Sequence, residues 1–362
     1  MAGSVVQLLG PSTGGIRAHV AELSTRLVAR GWDVRVAGPS MVMSGLWPQD
    51  AVVPVPGGWN PLRVRAARRA LRPLLVRRPT VLHAHGLKAG FVATTVRRRP
   101  PVVLTIHNLV AGTHSGLRVR VLRRVEAAII RRADHVITIS DEIDDRIAPF
   151  VTLDRRSFVL PVAPVRTVEV APAAVRALHG IGPEAPLVVI VARLHPQKDL
   201  GTFLRAMVEV RALVPDVRAL VVGDGPERAA LASMRDELGL ADVVQFVGHR
   251  PNPADEMNAA DVVALTSRWE GSPLVVAEYL MLAKPLVTTA VGTVTRHLRD
   301  GESARIVAIG DVGAFAAAVA SLLADRPAAA RMGHAGFVMG HDVFDAERLV
   351  DGVEGAYEQV TR

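Results

Sequence analysis

The chain contains no cysteine. Disulfides, thiolate zinc sites, iron–sulfur clusters and a cysteine nucleophile are therefore excluded. Aromatic residues make up only 4%. Between residues 60 and 132 the single aromatic is Phe91, which argues against a strand-stacking nucleic-acid surface there. No apolar run reaches the ~20 residues that a bilayer-crossing helix requires. The opening MAGSVVQLLGPSTGG lacks a basic region and reads as a strand entering a glycine loop, not as a signal peptide. Neither Gly-x-Gly-x-x-Gly nor a Walker A loop occurs, which removes two common nucleotide signatures. Acidic residues are also missing locally: from Ala51 to Val125 there are 15 basic residues and no Asp or Glu.

What is present points to two folded halves. A length of 362 residues with 49% hydrophobic content suffices for two cores. Residues 1–163 hold 24 Lys+Arg against 10 Asp+Glu, whereas 164–362 hold 19 against 25. A single-sign field of that kind attracts anionic partners. Only three of the 43 basic residues are lysine, so base composition contributes to the arginine excess.

Short apolar segments alternate with amphipathic helical ones, the pattern of parallel sheet with crossover helices. Strands are predicted at Val5–Leu9, Asp33–Ala37, Val81–Ala84, Val102–Ile106 and His135–Ile139, with a helix over Ala18–Arg30. A second series follows Pro161–Pro164: Leu187–Val191, Ala219–Val222, Val243–Val247, Val262–Leu265 and Leu286–Thr289. The expected division is a first domain at 1–163, a second at 164–340, and a terminal helical segment at 341–362 whose docking site periodicity does not reveal.

Four segments can carry chemistry. Gly10-Pro-Ser-Thr-Gly14-Gly15 links the first strand to the first helix, where backbone N–H groups and the helix start favour an anion. Arg193 and Lys198, in RLHPQKD after Leu187–Val191, can clamp a diphosphate as fork and point charge. In RWEGSPLVVAE, a loop at Gly271–Pro273 opens a helix that holds Glu278 within an otherwise apolar run, and Glu270 stands at the loop edge. A carboxylate there can accept hydrogen bonds from a ribose diol or a sugar. His107, in TIHN at the end of the Val102–Ile106 strand, can bond a sugar hydroxyl as neutral imidazole. Each has a plainer reading as a turn, a solvated charge or a loop histidine. His83 and His85 share a strand face, but no third ligand accompanies them, so no metal site is expected.

Together these residues resemble the family 4 retaining glycosyltransferases (glycosyl transferases group 1). The resemblance rests on Glu270 and Glu278 in EGSPLVVAE, on VARLHPQKDL, LVVGDGPER, FVGHR and ADVVALTSRWEG, and on HVAELSTRLVARGWDVRV, VLHAHG, TIHN and ADHVITIS in that family's order. It implies an α/β GT-B fold: two facing doubly wound Rossmann-like domains with an interdomain cleft. It also implies roles. Arg193 and Lys198 would bind the donor diphosphate, and Glu278 the ribose hydroxyls. Glu270 with Gly271, Ser272, Pro273 and Leu274 would contact the donor sugar and phosphate. His107 would touch the transferred sugar, and Gly14 and Gly15 would lie against the diphosphate. Retention of configuration, no metal and no cofactor beyond a UDP- or GDP-linked substrate follow from the same likeness. The chain departs from that family's pattern at Val162–Val165 and at Gly292–Arg296, where the usual acid is missing.

The acceptor stays open. The segment Leu62–Val76 is expected to turn Leu62, Ala66, Ala70/Leu71 and Leu74/Leu75 to one face with arginines opposite, and to kink or end at Pro73. A basic amphipathic helix can lie on an anionic membrane. An anionic or lipid-linked acceptor at the cytoplasmic membrane face would suit this half. The alternatives are another GT-B nucleotide-sugar enzyme, epimerase-like, or a non-catalytic basic binding protein. Nucleic acid is not expected as a partner.

Overall fold

The computed structural model describes residues 3–11, 15–43, 46–47, 50–58, 60–76, 79–108, 117–161, 166–292 and 294–362. Gly14, the segment Val162–Val165 and Thr293 lie outside them. The chain divides into two compact units, Met1–Pro164 with Phe344–Arg362, and Val165–Val343.

The first unit holds strands β1 (Gly3–Leu9), β2 (Trp32–Gly38), β3 (Asp50–Val52), β4 (Val81–His85), β5 (Val102–Ile106), β6 (His135–Thr138) and β7 (Arg156–Phe158). They form one parallel sheet in the order β3-β2-β1-β4-β5-β6-β7. The second unit holds β8 (Leu187–Val191), β9 (Arg218–Val222), β10 (Val244–Gly248), β11 (Val262–Leu265), β12 (Leu286–Thr289) and β13 (Arg305–Val307). These pair in parallel as β10-β9-β8-β11-β12-β13. The strands missed from the sequence, β3, β7 and β13, have three residues each and sit at or near sheet edges, too short for periodicity to register.

Both sheets are doubly wound. Their strand order reverses between β1 and β4 in the first and between β8 and β11 in the second. Ligands of such sheets bind outside the carboxyl ends at the reversal. His85 ends β4, and the loops after β1, β8 and β11 carry Gly10, Arg193 and Glu270.

The central strands of both sheets are buried along most of their length, and in the second sheet β8 and β11 read as unbroken apolar runs. In the first unit Val6, Leu8, Leu82, Ala84, Leu104 and Ile106 join one core cluster. The other face carries Gln7, His83, His85 and Thr105, all buried. The Gly15–Ala29 and Ala346–Thr361 helices pack on the first-unit sheet and on one another. The terminal helix buries Leu349, Val350, Val353, Ala356 and Tyr357. Its acidic side meets Arg30, which pairs with Asp351 at 2.6 Å and also with Glu347 and Glu354. Trp32 Nε1 donates to Glu354 Oε1 at 2.7 Å. Thus a segment of the acidic half seats on the basic unit.

The Pro61–Val76 helix corrects two expectations. It continues through Pro73 to Val76; three residues from the end, the proline's missing N–H costs only one helical bond. Its buried residues are Val64, Ala67 and Leu71, whereas Leu62 and Ala66 are exposed. Ala70, Leu71, Leu74 and Leu75 face the core as expected, while Val64 and Ala67 take the places expected for Leu62 and Ala66. Leu62 at 75% and Val76 at 78% exposure therefore share the open side with Arg65, Arg69 and Arg72.

In the second unit the Arg326–Val343 helix approaches the Leu274–Met281 helix and its C-terminal turn through three glycines. A Cβ at Gly333 would lie 2.1 Å from the Ala283 carbonyl oxygen, at Gly336 2.8 Å from Leu280, and at Gly340 2.8 Å from Leu280. This contact fixes the helix that carries Glu278.

Candidate functional site

The second unit assembles its part of the site from neighbouring strand ends. Because β8 and β11 are paired, with Val188 beside Val262 and Ile190 beside Ala264, their following loops emerge side by side. The first loop enters a short 3-10 turn, Pro196–Lys198. Asp199 then takes left-handed backbone (φ 45) and caps the Leu200–Leu213 helix, accepting from Thr202 N at 3.4 Å. Asp tolerates that conformation better than most residues. Arg268 N donates to the Gln197 carbonyl at 2.8 Å and Thr266 Oγ1 to the Lys198 carbonyl at 2.9 Å, which stitches the loops together.

The outcome is an ion pair between Lys198 Nζ and Glu270 Oε1, across 72 residues of sequence. Both side chains are largely buried, at 19% and 9% exposure. Ser267 Oγ donates to the same carboxylate at 2.8 Å, and Gln197 Nε2 donates at 3.3 Å. Glu270 is thus held as a charged acceptor by three donors. Gly292 (φ 50) lies over this loop; a Cβ there would stand 2.2 Å from the Gly271 carbonyl oxygen and 2.6 Å from that of Glu270. The loop therefore requires glycine at 292.

Arg193 is exposed and makes no hydrogen bond or ion pair with a described residue. Its loop is braced by Gly223 (φ 139) and Gly225, where a Cβ would meet the Ala192 and Leu194 carbonyl oxygens at 1.9 and 2.3 Å. Leu194 N donates to Asp224 O at 3.0 Å, and Glu227 N to Leu194 O at 3.1 Å. Gly271 and Ser272 precede the Leu274–Met281 helix, whose N-cap is Pro273 and whose first residue is Leu274.

Glu278 pairs with Arg166 Nε at 3.0 Å through Oε1. Its Oε2 has no hydrogen bond among the described residues. Burial pushes the Glu278 carboxyl above its ordinary range, and Arg166 partly opposes that. Tyr279, next along, is fully buried; it accepts from Val191 N at 2.8 Å and ties the helix to the end of β8.

In the first unit His107 follows β5 and is 6% exposed. His85 Nδ1 lies 3.3 Å from His107 Nε2, and His85 Nε2 lies 2.7 Å from Gln7 Oε1. Gln7 Nε2 donates to the Tyr357 hydroxyl at 3.1 Å. His83 joins Tyr357 through Nδ1 and Thr105 Oγ1 through Nε2, each at 2.7 Å. The ring of His19 meets those of His85 and His107 edge-on at 5.7 and 5.4 Å. Desolvation lowers all four histidines: His19 to about 4, His83 to about 3, and His85 and His107 well below 6.5. They are neutral at pH 7. Gly15 is exposed at the first turn of its helix.

His19, His85 and His107 each offer a nitrogen within 4.8 Å of the others. The expectation that His85 lacks further ligand-type neighbours is thereby corrected: they come from a helix and from another strand end, which local spacing cannot show. Sequence reasoning also missed Arg166, Gln197 and Ser267. Their partners are distant or of a type too common to single out. The glycines at 223, 225 and 292 were visible in the motifs, but their close approaches were not.

Two family models match the chain: "Glycosyl transferase 4-like domain" over residues 14–163 and "Glycosyl transferases group 1" over residues 174–339. A GDP-mannose-dependent alpha-(1-6)-phosphatidylinositol monomannoside mannosyltransferase of Mycolicibacterium smegmatis is 37% identical over 46% of this chain and 46% of its own length. A D-inositol 3-phosphate glycosyltransferase of Mycobacterium sp. (strain KMS) is 32% identical over 69% of this chain and 60% of its own length. The chain thus spans about half the length of the curated relatives it matches. Among solved structures, sucrose-phosphate synthase from Thermosynechococcus elongatus superposes with a TM-score of 0.81 at 20% identity, over 98% of each chain. That likeness speaks for the fold.

Proposed function

We propose, from the premise that the chain belongs to the glycosyl transferases group 1, with a glycosyl transferase 4-like first domain, that it moves a sugar from a nucleoside-diphosphate sugar to an acceptor hydroxyl with retention of configuration. The observation that carries this reading is the Lys198–Glu270 pair, which joins two segments of the sequence resemblance at one switch point.

Arg193 and Lys198 receive the diphosphate. As the bond from the anomeric carbon to the phosphate oxygen breaks, negative charge grows on the phosphate, and fixed cations stabilise it more than they stabilise the ground state. The N–H groups at the start of the Leu274–Met281 helix, with Gly271, Ser272, Pro273 and Leu274 around them, add a partial positive charge. Glu270 accepts hydrogen bonds from sugar hydroxyls, and Glu278 Oε2 from the ribose diol. From the first unit, His107 accepts or donates at the transferred sugar, and Gly14 and Gly15 approach the diphosphate. The acceptor oxygen attacks from the face the phosphate leaves. Its proton passes to the departing phosphate oxygen, so no separate base is consumed. The two cationic side chains take the charge-stabilising part that a divalent ion plays elsewhere, and no cofactor is used.

The donor is UDP- or GDP-linked; the GDP-mannose dependence of the mannosyltransferase relative supports GDP. The names of both relatives contain a phosphorylated inositol or its lipid. With the basic first half, they support an anionic or lipid-linked acceptor. Among the described residues no single helix is long and apolar enough to cross a membrane. The exposed Leu62, Arg65, Arg69, Arg72 and Val76 stripe favours peripheral contact at the cytoplasmic face.

A hydrolysis screen over UDP- and GDP-sugars without acceptor tests the reading. One donor is expected to be hydrolysed, and the rate to survive a chelator. Lys198→Ala and Glu270→Ala should each lower it on the order of 10²–10³-fold. Unchanged rates in both variants would remove the site assignment, and loss of activity on chelation would remove the metal-free route.

A further inference from the structure

The hydrogen bonds behind His107 have a direction. Gln7 uses Nε2 to donate to Tyr357, which leaves Oε1 facing His85 Nε2 at 2.7 Å. A carbonyl oxygen can only accept, so His85 carries its proton on Nε2. Neutral His85 then has a bare Nδ1, and that atom faces His107 Nε2 at 3.3 Å. His107 must donate there, which leaves its own Nδ1 bare. Nδ1 makes no hydrogen bond to a described residue. Every member is buried: Gln7 and Tyr357 at 0%, His85 at 1%, His107 at 6%. No bulk water is available to substitute for a lost partner, so each link constrains the next.

We propose that Gln7 and His85 are positioning residues that hold His107 as its Nε2–H tautomer, presenting Nδ1 as the acceptor for a hydroxyl of the transferred sugar. This rests on the reading that His107 meets that sugar. Tyr357 is the far anchor. Its hydroxyl is shared by Gln7 and His83, and it arrives on the Ala346–Thr361 helix, at the opposite end of the sequence. The last residues of the chain therefore act on the first unit's functional histidine through one side-chain amide. A merely structural cluster would need each polar group satisfied. It would not need a consistent donor-to-acceptor polarity ending on an open nitrogen.

The test is ring-nitrogen NMR of the histidine-labelled full chain at pH 7, with no substrate, followed by donor-hydrolysis kinetics. In the wild type His107 Nδ1 should be pyridine-like and Nε2 pyrrole-like. Gln7→Leu should give mixed tautomers and lower kcat on the order of 10-fold, with donor KM little changed. Gln7→Glu keeps an acceptor at His85 and should retain the wild-type tautomer. Tyr357→Phe, which loosens Gln7 from farther away, should give a partial shift. A protonated Nδ1 in the wild type would overturn the proposal. So would the same tautomer in Gln7→Leu and Tyr357→Phe as in the wild type. Because the NMR readout needs no turnover, a tautomer shift without donor hydrolysis would uphold the relay and count only against the glycosyl-transfer reading.

Discussion

The two units share one plan and treat polar groups in opposite ways. Each is a doubly wound parallel sheet with candidate site residues near the reversal of strand order. The second unit equips that place with charge: Lys198 against Glu270 and Arg166 against Glu278. The first unit equips it with neutral imidazoles and an amide, closed over by Tyr357. Yet the first unit bears the excess of arginine, and among the described residues Arg63, Arg65, Arg69, Arg72, Arg97 and Arg98 are exposed. Surface charge and site charge are therefore separate properties. The first can set what approaches the molecule, while the second sets what is held.

The sharpest way to break the comparison is through the packing that supports only one unit. Gly333→Val would drive a side chain into the Ala283 carbonyl, 2.1 Å from an ideal Cβ. It should cost about 3 kcal/mol or more, seen as a lower urea midpoint. Hydrogen exchange should localise the loss to Val165–Val343; loss of protection in both units alike would deny their independence.

Acid offers a second contrast. The buried histidines of the first unit have folded pKa values below the ordinary 6.5, about 4 for His19 and about 3 for His83. The unfolded chain therefore binds protons first as pH falls. Stability is full above 6.5 and is lost on the way down, by about 1.4 kcal/mol per pH unit for each such group. Glu278 has the opposite sign. Its folded pKa is raised, so burial costs stability at neutral pH and the cost shrinks toward acid. Exchange protection measured at pH 7 and 5.5 should fall faster in the first unit; a faster fall in the second would contradict both assignments.

The smallest effect concerns the surface. Arg69→Ala on the open side of the Pro61–Val76 helix should weaken binding to anionic vesicles by about 1 kcal/mol, roughly fivefold, and less at high salt. A matching change at exposed Arg299 of the second unit should do nothing. Equal effects, or no vesicle binding at low salt, would remove the membrane role from the first unit.

Much of this was legible beforehand. Val102–Ile106, Leu187–Val191, Val262–Leu265 and Leu286–Thr289 could be bounded to the residue, because a strand buried on both faces is built mainly of apolar and β-branched residues and gives way to a polar loop. The motif after β11 placed Glu278 on a helix, since a carboxylate within an apolar run needs a reason. The Pro61–Val76 helix was harder. Its alanines and leucines offer more than one apolar stripe, and neighbouring elements chose Val64, Ala67 and Leu71. His85 and His107 were noticed singly, but their meeting with His19 was hidden, since the three lie on a helix, on β4 and after β5 with no shared spacing.

By itself, then, the sequence determined the two alternating α/β halves, the charge asymmetry and the residue types at the strand ends, all of which follow from local periodicity and composition. Tertiary structure alone decided that Lys198 faces Glu270, that Arg166 holds Glu278, that Gly333 must lack a side chain, and that the final helix returns to the first sheet to seat Tyr357 beside Gln7. These are meetings between residues tens to hundreds of positions apart. Strand pairing order and close backbone approach bring them together, and neither is written in any local stretch of the chain.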